Sequence, residues 1–188
     1  MLMIAGAHGW EHKQWEGNYY PDEIALDWHL SFYARDYQTA LCPIRHWSNC
    51  NISEIKEFCE DVDKDYPIFF EKKESDTNTD ILALQQAMLE FVPNWISFEN
   101  DGWNKQTDKY HIRQAEILHS TNLKNNPAVF SVHSESIQRD TVLKEIMLLI
   151  KTEFKTYETV YLFCDGALAE IDVLNTIKTL RKMLVLDF

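Results

Sequence analysis

GWEHKQWEGNYYPDEIALDWHLSFYARDY, residues 9–37, contains an aromatic segment and a helix start near the N-terminus. It holds three tryptophans and a Tyr19-Tyr20-Pro21 run, and it follows a short apolar segment, Met1–Ala5, that reads as a strand. Pro21 and Asp22 suit the first turn of a helix, because proline needs no amide partner there and acids favour the positive end of the dipole. The sequence therefore predicts a strand, an aromatic loop and a helix, with the loop where α/β proteins keep ligand sites.

Strand and helix alternate along the rest of the chain. Further strands are predicted at Gln38–Cys42, Pro67–Glu71, Trp95–Glu99, Ala128–His133 and Val160–Cys164. Further helices are predicted at Glu54–Asp63 with Ser53 as its cap, Asp80–Val92, Ser136–Phe154 and Leu168–Leu184. Residues 43–51 and 72–79 are expected to be loops, residues 104–126 fit a short helix near 108–113 or a strand at 115–119, and residues 185–188 fit a last strand or a frayed end. The alternation predicts one domain, residues 1–188, built on a parallel sheet that is either a barrel or doubly wound.

Composition argues against several classes of partner. The 188 residues carry a formal net charge of −12 without a lysine- or arginine-rich run, which disfavours nucleic acid and anionic membranes. No apolar run reaches the ~20 residues that span a bilayer. Four cysteines without a CxxC pair fit reduced thiols, so a cytoplasmic protein is expected. Neither GxGxxG nor a P-loop occurs, and no cofactor is predicted.

Glycine, tryptophan and Tyr-Pro recur at a characteristic spacing near the N-terminus. The positions are Gly6, Gly9, Trp10, Trp15, Gly17, Tyr20 and Pro21. This pattern resembles the YecE-like family, domain of unknown function 72, whose members start with a strand, then Gly-Thr-Ser-Gly-Trp, then Trp-x-Gly-x-Phe-Tyr-Pro. Ala7 and His8 stand here where Thr-Ser is expected. The resemblance implies a TIM-like (β/α) barrel.

Weaker similarities to the same family follow in the same order along the chain. Phe98-Glu99 with Trp103 resembles its Glu-Phe-Arg-x-x-x-Trp strand end, without the arginine. Phe130-Ser131-Val132-His133 resembles Tyr-x-Arg-x-His-Gly, with Ser131 in place of arginine and Ser134 in place of glycine. The segment Val160–Asp165 resembles the final strand, which ends in Asn-Asn-Asp. The resemblance thus extends over most of the chain, with the first motif as its specific part.

The chain also departs from the family pattern. The acidic residue expected after the second strand is missing from Ala40–Trp47, and the third-strand Lys-x-Pro is blurred into Glu71-Lys72-Lys73. The chain is shorter than the roughly 200 to 250 residues that a complete (β/α)8 barrel needs. We interpret it as a shortened, divergent relative with an irregular or incomplete barrel and an altered site.

Four polar residues sit at or just beyond the C-terminal ends of predicted strands: His8, Glu99, His133 and Asp165. In a barrel these ends converge on one face, where side chains from different strands surround a ligand. A carboxylate and an imidazole suit general acid–base chemistry, so Glu99 and His133 are the predicted catalytic pair. The alternative is that both side chains only form hydrogen bonds to loops at the strand ends.

Aromatic residues and histidines supply the other candidate groups. The predicted binding residues are His8, Trp10, Trp15, Tyr20, Trp103 and Asp165. The aromatic members fit either a stacking wall for a ligand or a core plug at the barrel mouth. His8, Glu11 and His12 suggest a metal site, but four-residue spacing aligns two imidazoles on a helix and these lie in a predicted loop, so no metal is predicted.

Three hypotheses about function follow. The first is an enzyme, or a binding protein, for a small polar molecule that is sugar- or phosphate-like, held at the C-terminal face of the barrel. The second is a non-catalytic, degenerate relative that acts as a binding or interaction protein. The third is a homodimer, which would cover a strand edge or apolar flank that an incomplete barrel leaves bare.

Overall fold

The computed structural model describes residues 1–72, 84, 86, 94–98, 104–120, 123, 126–136 and 139–185. Its strands there are β1 Leu2–Ala7, β2 Ala40–Cys42, β3 Ile68–Glu71, β4 Asn94–Ser97, β5 Asn104–Gln106, β6 His111–His119, β7 Pro127–Ser134 and β8 Thr159–Gly166. Its α-helices there are α1 His29–Ala34, α2 Ile44–Trp47, α3 Ile52–Glu60, α4 Arg139–Glu153 and α5 Ile171–Val185. Within these ranges no helix combines the length and the apolar character needed to cross a membrane.

The sheet curls until its two ends nearly meet. Its eight strands run in the order β1-β8-β7-β6-β4-β3-β2, and β5 pairs with β6 beside this path. The end strands β1 and β2 are joined by a parallel bridge between His8 and Leu41, and the Gly9 N–H donates to the Leu41 carbonyl at 2.9 Å. The expected TIM-like barrel of irregular or incomplete form is therefore confirmed.

Apolar side chains from all seven strands around the barrel fill its interior. They form one cluster of buried and partly buried residues: Ile4, Leu41, Phe69, Ile96, Phe98, Ala115, Ile117, Leu123, Val129, Tyr161 and Phe163. The ring of Phe69 packs on those of Tyr161 and Phe163, with centroids 4.9 and 5.3 Å apart, so opposite walls of the barrel touch. The interior is a packed core at this level, as in other small barrels.

The alternate residues of the strands face a second apolar layer outside the barrel. On α4 the buried residues Val142, Ile146 and Ile150 recur at the helical period, and on α5 Val173 and Ile177 do the same. Because the strands are covered on both faces, they appear in the sequence as continuous apolar runs. This explains why the patterns at 128–133 and 160–164 predict strands correctly.

The aromatic loop locks the first strand to the first helix. The buried Trp15 indole donates to the Ala169 carbonyl at 2.9 Å, and its ring stacks on Tyr33 with centroids 5.8 Å apart. The Tyr20 hydroxyl donates to the Trp10 carbonyl at 2.7 Å, and the Ala7 N–H donates to the Tyr33 hydroxyl at 2.8 Å. In each of these hydrogen bonds a side chain pairs with a buried backbone N–H or C=O group, and such groups need a partner.

The predicted all-parallel sheet is wrong at β6. This strand runs antiparallel to both β4 and β7 and forms a hairpin with β5. The hairpin closes where the Thr107 N–H donates to the Tyr110 carbonyl at 2.9 Å, and the strand then starts at His111. The predicted helix at 108–113 is therefore wrong, because a tight turn reverses the chain where a parallel connection needs a long crossover.

Helix starts also differ from the sequence prediction. The first helix begins with a 3-10 turn at Leu26–Trp28 rather than at Pro21, because Ala25 adopts an extended conformation with ψ 147°. The cap of α3 is Asn51, not Ser53: the Asn51 side chain accepts from two amides, and Glu54 accepts from the Asn51 N–H. The predicted loop at 43–51 contains α2.

Most of the predicted loop at 72–79 and helix at Asp80–Val92 lies outside the described residues. Leu84 and Gln86 are described and are helical.

Candidate functional site

A polar layer lies directly above the apolar interior, at the C-terminal end of the barrel. Side chains alternate along a strand, so Glu71, Ser131 and Asp165 share the inward face with the interior residues two positions before them. His8 follows β1 at the same level. We call His8, Glu71, Ser131 and Asp165 the mouth layer.

His8 is the centre of the mouth layer, and only 7% of its side chain is exposed. Its Nε2 lies 3.5 Å from Glu71 Oε2, and its Nδ1 lies 3.4 Å from Ser131 Oγ and 3.9 Å from Asp165 Oδ2. One imidazole thus lies within ion-pair reach of two carboxylates, one from β3 and one from β8. The His8 ring therefore connects strands that are far apart in sequence.

His133 connects the mouth layer to solvent. Its Nδ1 lies 3.2 Å from Asp165 Oδ2, its Nε2 lies 2.8 Å from Glu135 Oε1, and 47% of its side chain is exposed. Asp165 therefore faces two imidazoles, one buried and one accessible. An imidazole oriented by a carboxylate is the group that general acid–base chemistry uses at neutral pH.

The two inner carboxyl groups are held in their charged form. Burial alone raises the pKa of Glu71, but a hydrogen bond and charge from His8, the Ile44 N–H and the Arg113 charge together leave that pKa below its usual value. Burial likewise raises the pKa of Asp165, and His8, the Gly166 N–H and His133 outweigh it, so this pKa is also lowered. The mouth layer therefore carries negative charge at neutral pH.

Two further histidines lie beside the mouth layer. Burial, followed by the charges of Arg45, His12 and His8, lowers the pKa of His46 to about 4, so this imidazole is neutral at pH 7. Its Nε2 lies 3.8 Å from Glu11 Oε2, and its ring packs edge-on against Trp10. Burial also lowers the pKa of His12. These neutral rings act as polar packing rather than as charged groups.

No metal centre is found in the part of the chain that the structure describes. Among these residues, no three or more histidine, cysteine, aspartate or glutamate side chains are grouped so that they could hold a metal ion. His8 and His12 belong to a loop, and their ring nitrogens do not converge with a third ligand there.

The structure brings together three of the residues predicted from sequence, namely His8, His133 and Asp165. The other predicted residues have different surroundings. Trp10, Trp15 and Tyr20 are each no more than 2% exposed and pack within the first βα unit, so they have the environment of core residues. Glu99 and Trp103 lie outside the described residues, and the predicted pairing of Glu99 with His133 stays a prediction.

Glu71 and Ser131 belong to the site but are absent from the sequence-based candidates. Glu71 is the last residue of an apolar strand. In the comparison with the family pattern, however, it falls within a poor match to the Lys-x-Pro motif. Strand alternation supplies the missing signal, since a residue two positions after a buried Phe69 or Val129 must face the same way. Applied to each strand, that rule selects Glu71, Ser131 and Asp165 together.

The chain was compared with known proteins at the level of sequence and of structure. No family model matches it, and no curated protein matches it in sequence. A solved structure of a DUF72 family protein from Thermotoga maritima is similar, with a TM-score of 0.57 and 9% sequence identity over 96% of this chain and 99% of that chain. The likeness shows the fold, and the solved protein belongs to the family that the opening motif resembles.

Proposed function

We propose that this protein binds a small polar molecule, sugar- or phosphate-like, at the C-terminal face of its barrel and acts on it by acid–base chemistry. The observation that supports this most strongly is the Asp165–His133 contact, in which a carboxylate of lowered pKa orients a half-exposed imidazole. Such a pair accepts a proton from a ligand hydroxyl and returns it to a leaving or neighbouring group.

Each described residue of the site has a distinct part in this proposal. His133 is the general base or acid, because its ring is accessible to a ligand. Asp165 orients that ring through the contact of its Oδ2 with the ring Nδ1 at 3.2 Å. His8 and Glu71 keep Asp165 in place from below, and they are positioning residues because His8 is buried.

Two residues outside the described ranges complete the proposal. Glu99 follows the end of β4 and is retained as the proposed second acid–base group. Trp103 is retained as a proposed binding residue. Both assignments rest on their position after a strand end, where barrel sites gather their side chains.

One observation favours the second candidate function, a degenerate barrel that binds but does not catalyse. His8 and Ser131 are only 6% and 3% exposed, so much of the mouth layer is closed to a ligand. Buried polar groups that satisfy one another can serve to fix a unique core rather than to react. In this alternative the face binds a partner through His133 and Glu135.

The experiment is a binding screen by saturation-transfer NMR. The panel contains neutral monosaccharides, amino sugars, sugar acids and sugar phosphates, each tested with wild-type protein, His133→Gln and the control Glu153→Gln, an exposed residue on α4. The proposal predicts saturation transfer to at least one class, lost in His133→Gln and kept in the control. Absence of binding for every class contradicts it, whereas binding that His133→Gln leaves intact places the ligand elsewhere.

A ligand found in this way separates the two candidate functions. Acid–base chemistry predicts that a bound sugar or sugar phosphate is slowly converted, which one-dimensional NMR spectra recorded over hours detect as product signals. The non-catalytic alternative predicts unchanged ligand signals throughout.

A further inference from the structure

The guanidinium of Arg113 lies at the barrel mouth. It is stacked over the Phe98 ring, with its central carbon 4.7 Å from the ring centroid. Within the described ranges the structure records no hydrogen bond or ion pair for this side chain. Its charge contributes to the lowered pKa of Glu71, which places it on the same side of the barrel as the mouth layer.

Strand register explains why Arg113 faces the mouth layer. Arg113 on β6 is paired directly with Ser131 on β7, and residues opposite each other in an antiparallel pair project to the same face. Ser131 contacts His8, so Arg113 shares the inward face with His8. The Phe98 ring is near both side chains, with its centroid 6.3 Å from that of the His8 ring and 4.7 Å from the central carbon of the guanidinium.

We propose that Arg113 determines specificity at this site by binding an anionic group of the ligand, a carboxylate or a phosphate. The inference rests on the proposed function of the mouth layer and names the class of molecule that it would take: a polyhydroxylated compound with one acidic group. Stacking on Phe98 fixes the plane of the guanidinium, and its N–H groups lie in that plane, where they match the oxygen spacing of a carboxylate or phosphate.

The negative charge of the mouth layer does not prevent Arg113 from binding an anionic group. Glu71 is already engaged by His8 and by the Ile44 N–H at 3.4 Å, and Asp165 is engaged by His133. The Arg113 charge acts on Glu71 from a distance, and no hydrogen bond or ion pair between its guanidinium and a described carboxylate is recorded, so its N–H groups can still face a ligand. Because Arg113 is paired in register with Ser131, its side chain starts at the same level of the barrel as the mouth layer.

The test compares two sugars that differ by one charge, D-glucose and D-glucuronate. Their affinities are measured by NMR titration for wild type, Arg113→Gln and Arg113→Lys. The matched control is Arg35→Gln, which removes an arginine stacked on Phe32 at 4.9 Å, away from the mouth. Wild type is expected to bind glucuronate about tenfold more tightly than glucose, as one charge-assisted bidentate contact provides.

Arg113→Gln is expected to lower glucuronate binding to the level of glucose, so that the preference between the two sugars is lost. Arg113→Lys is expected to restore part of the preference, because it keeps the charge but not the fork, and Arg35→Gln is expected to behave as wild type. A glucuronate preference that survives in Arg113→Gln overturns the inference.

The experiment distinguishes failure of the proposed function from failure of the inference about Arg113. If neither sugar binds, the proposal of a sugar ligand is wrong. Anion binding by Arg113 is then tested with inorganic phosphate. A phosphate-dependent shift of the Arg113 Nε–H signal, absent for Arg35, supports the anion site by itself. The lack of such a shift overturns the anion site as well.

Discussion

His8 Nε2 and Glu71 Oε2 lie 3.5 Å apart across the seam where the barrel closes. His8 follows β1 and Glu71 ends β3, and β2 runs between them. The same imidazole reaches Ser131 and Asp165 on the other side of the seam. A single buried side chain therefore links strands from the two ends of the sheet and holds the groups of the proposed site in place.

The first prediction concerns acid stability. The pKa values of Glu71 and Asp165 are lower in the folded protein than the usual carboxyl values of 4.5 and 3.8. As the pH falls through this range, the unfolded chain takes up protons first, so stability present above about pH 4.5 is lost below it. Glu71→Gln should lower the free energy of unfolding by about 1–3 kcal/mol at pH 7 and flatten its decline between about pH 5 and 3.

Urea unfolding at a series of pH values measures this. The control Glu153→Gln removes an exposed carboxylate from α4 and should keep the wild-type slope. An equally steep decline in Glu71→Gln would show that the His8–Glu71 contact does not contribute to acid stability.

The second prediction concerns His46. Its pKa of about 4 lies below the usual value of 6.5, so the unfolded chain binds a proton more readily between these limits. Stability should fall as the pH drops from about 6.5 to about 4, with a limiting slope of about 1.4 kcal/mol per pH unit. Ring-nitrogen NMR of wild type should show neutral His46 above pH 5, and His46→Gln should remove its share of the slope. A midpoint near 6.5 would contradict the burial of this ring.

The third prediction compares two tyrosine hydroxyls. Tyr33 is fully buried and its hydroxyl accepts the Ala7 N–H, whereas the Tyr19 hydroxyl donates to Asp36 at the surface. Tyr33→Phe leaves a buried amide unpaired and should cost about 1–3 kcal/mol, while Tyr19→Phe should cost about 1 kcal/mol or less. Thermal unfolding of both variants measures the difference. Equal losses would mean that the Ala7 amide finds another partner.

The fourth prediction tests barrel closure through Gly6. A Cβ at this position would meet the Thr39 carbonyl oxygen at 2.6 Å, so Gly6→Ala must move β1 away from the chain that enters β2. The expected cost is about 1–3 kcal/mol, with faster hydrogen exchange of the Gly9 amide that bonds to Leu41. Gly17→Ala serves as the control, because it strains a loop without touching the seam. Unchanged Gly9 exchange in Gly6→Ala would argue against the closure.

The sequence predicts the barrel through its order of elements and its opening motif, but it does not predict the direction of β6. His111–His119 has only a partial alternation, and a short apolar pattern looks the same in a parallel and an antiparallel strand. The direction is decided by the tight turn at Thr107–Tyr110, whose composition is not that of a typical hairpin turn.

The sequence predicts only part of the candidate site. The sequence predicts His8, His133 and Asp165 because each follows a recognisable apolar strand. Glu71 is found only through the strand alternation from Phe69, because it does not fit the family motif at that place. The burial of Trp10 and Trp15 cannot be predicted from sequence, because an aromatic loop that lines a ligand and an aromatic plug have the same composition.

The central claim, that the mouth layer and His133 form a ligand site, is tested most directly by ring-nitrogen NMR of the seven histidines during ligand titration. The ligand is the best binder from the sugar and sugar-phosphate panel. Saturable shifts of the His133 and His8 signals are expected, with little change at His29, which stacks on Tyr20 in the first βα unit. Shifts confined to His29, or no shift at His133 under saturating ligand, would contradict the claim.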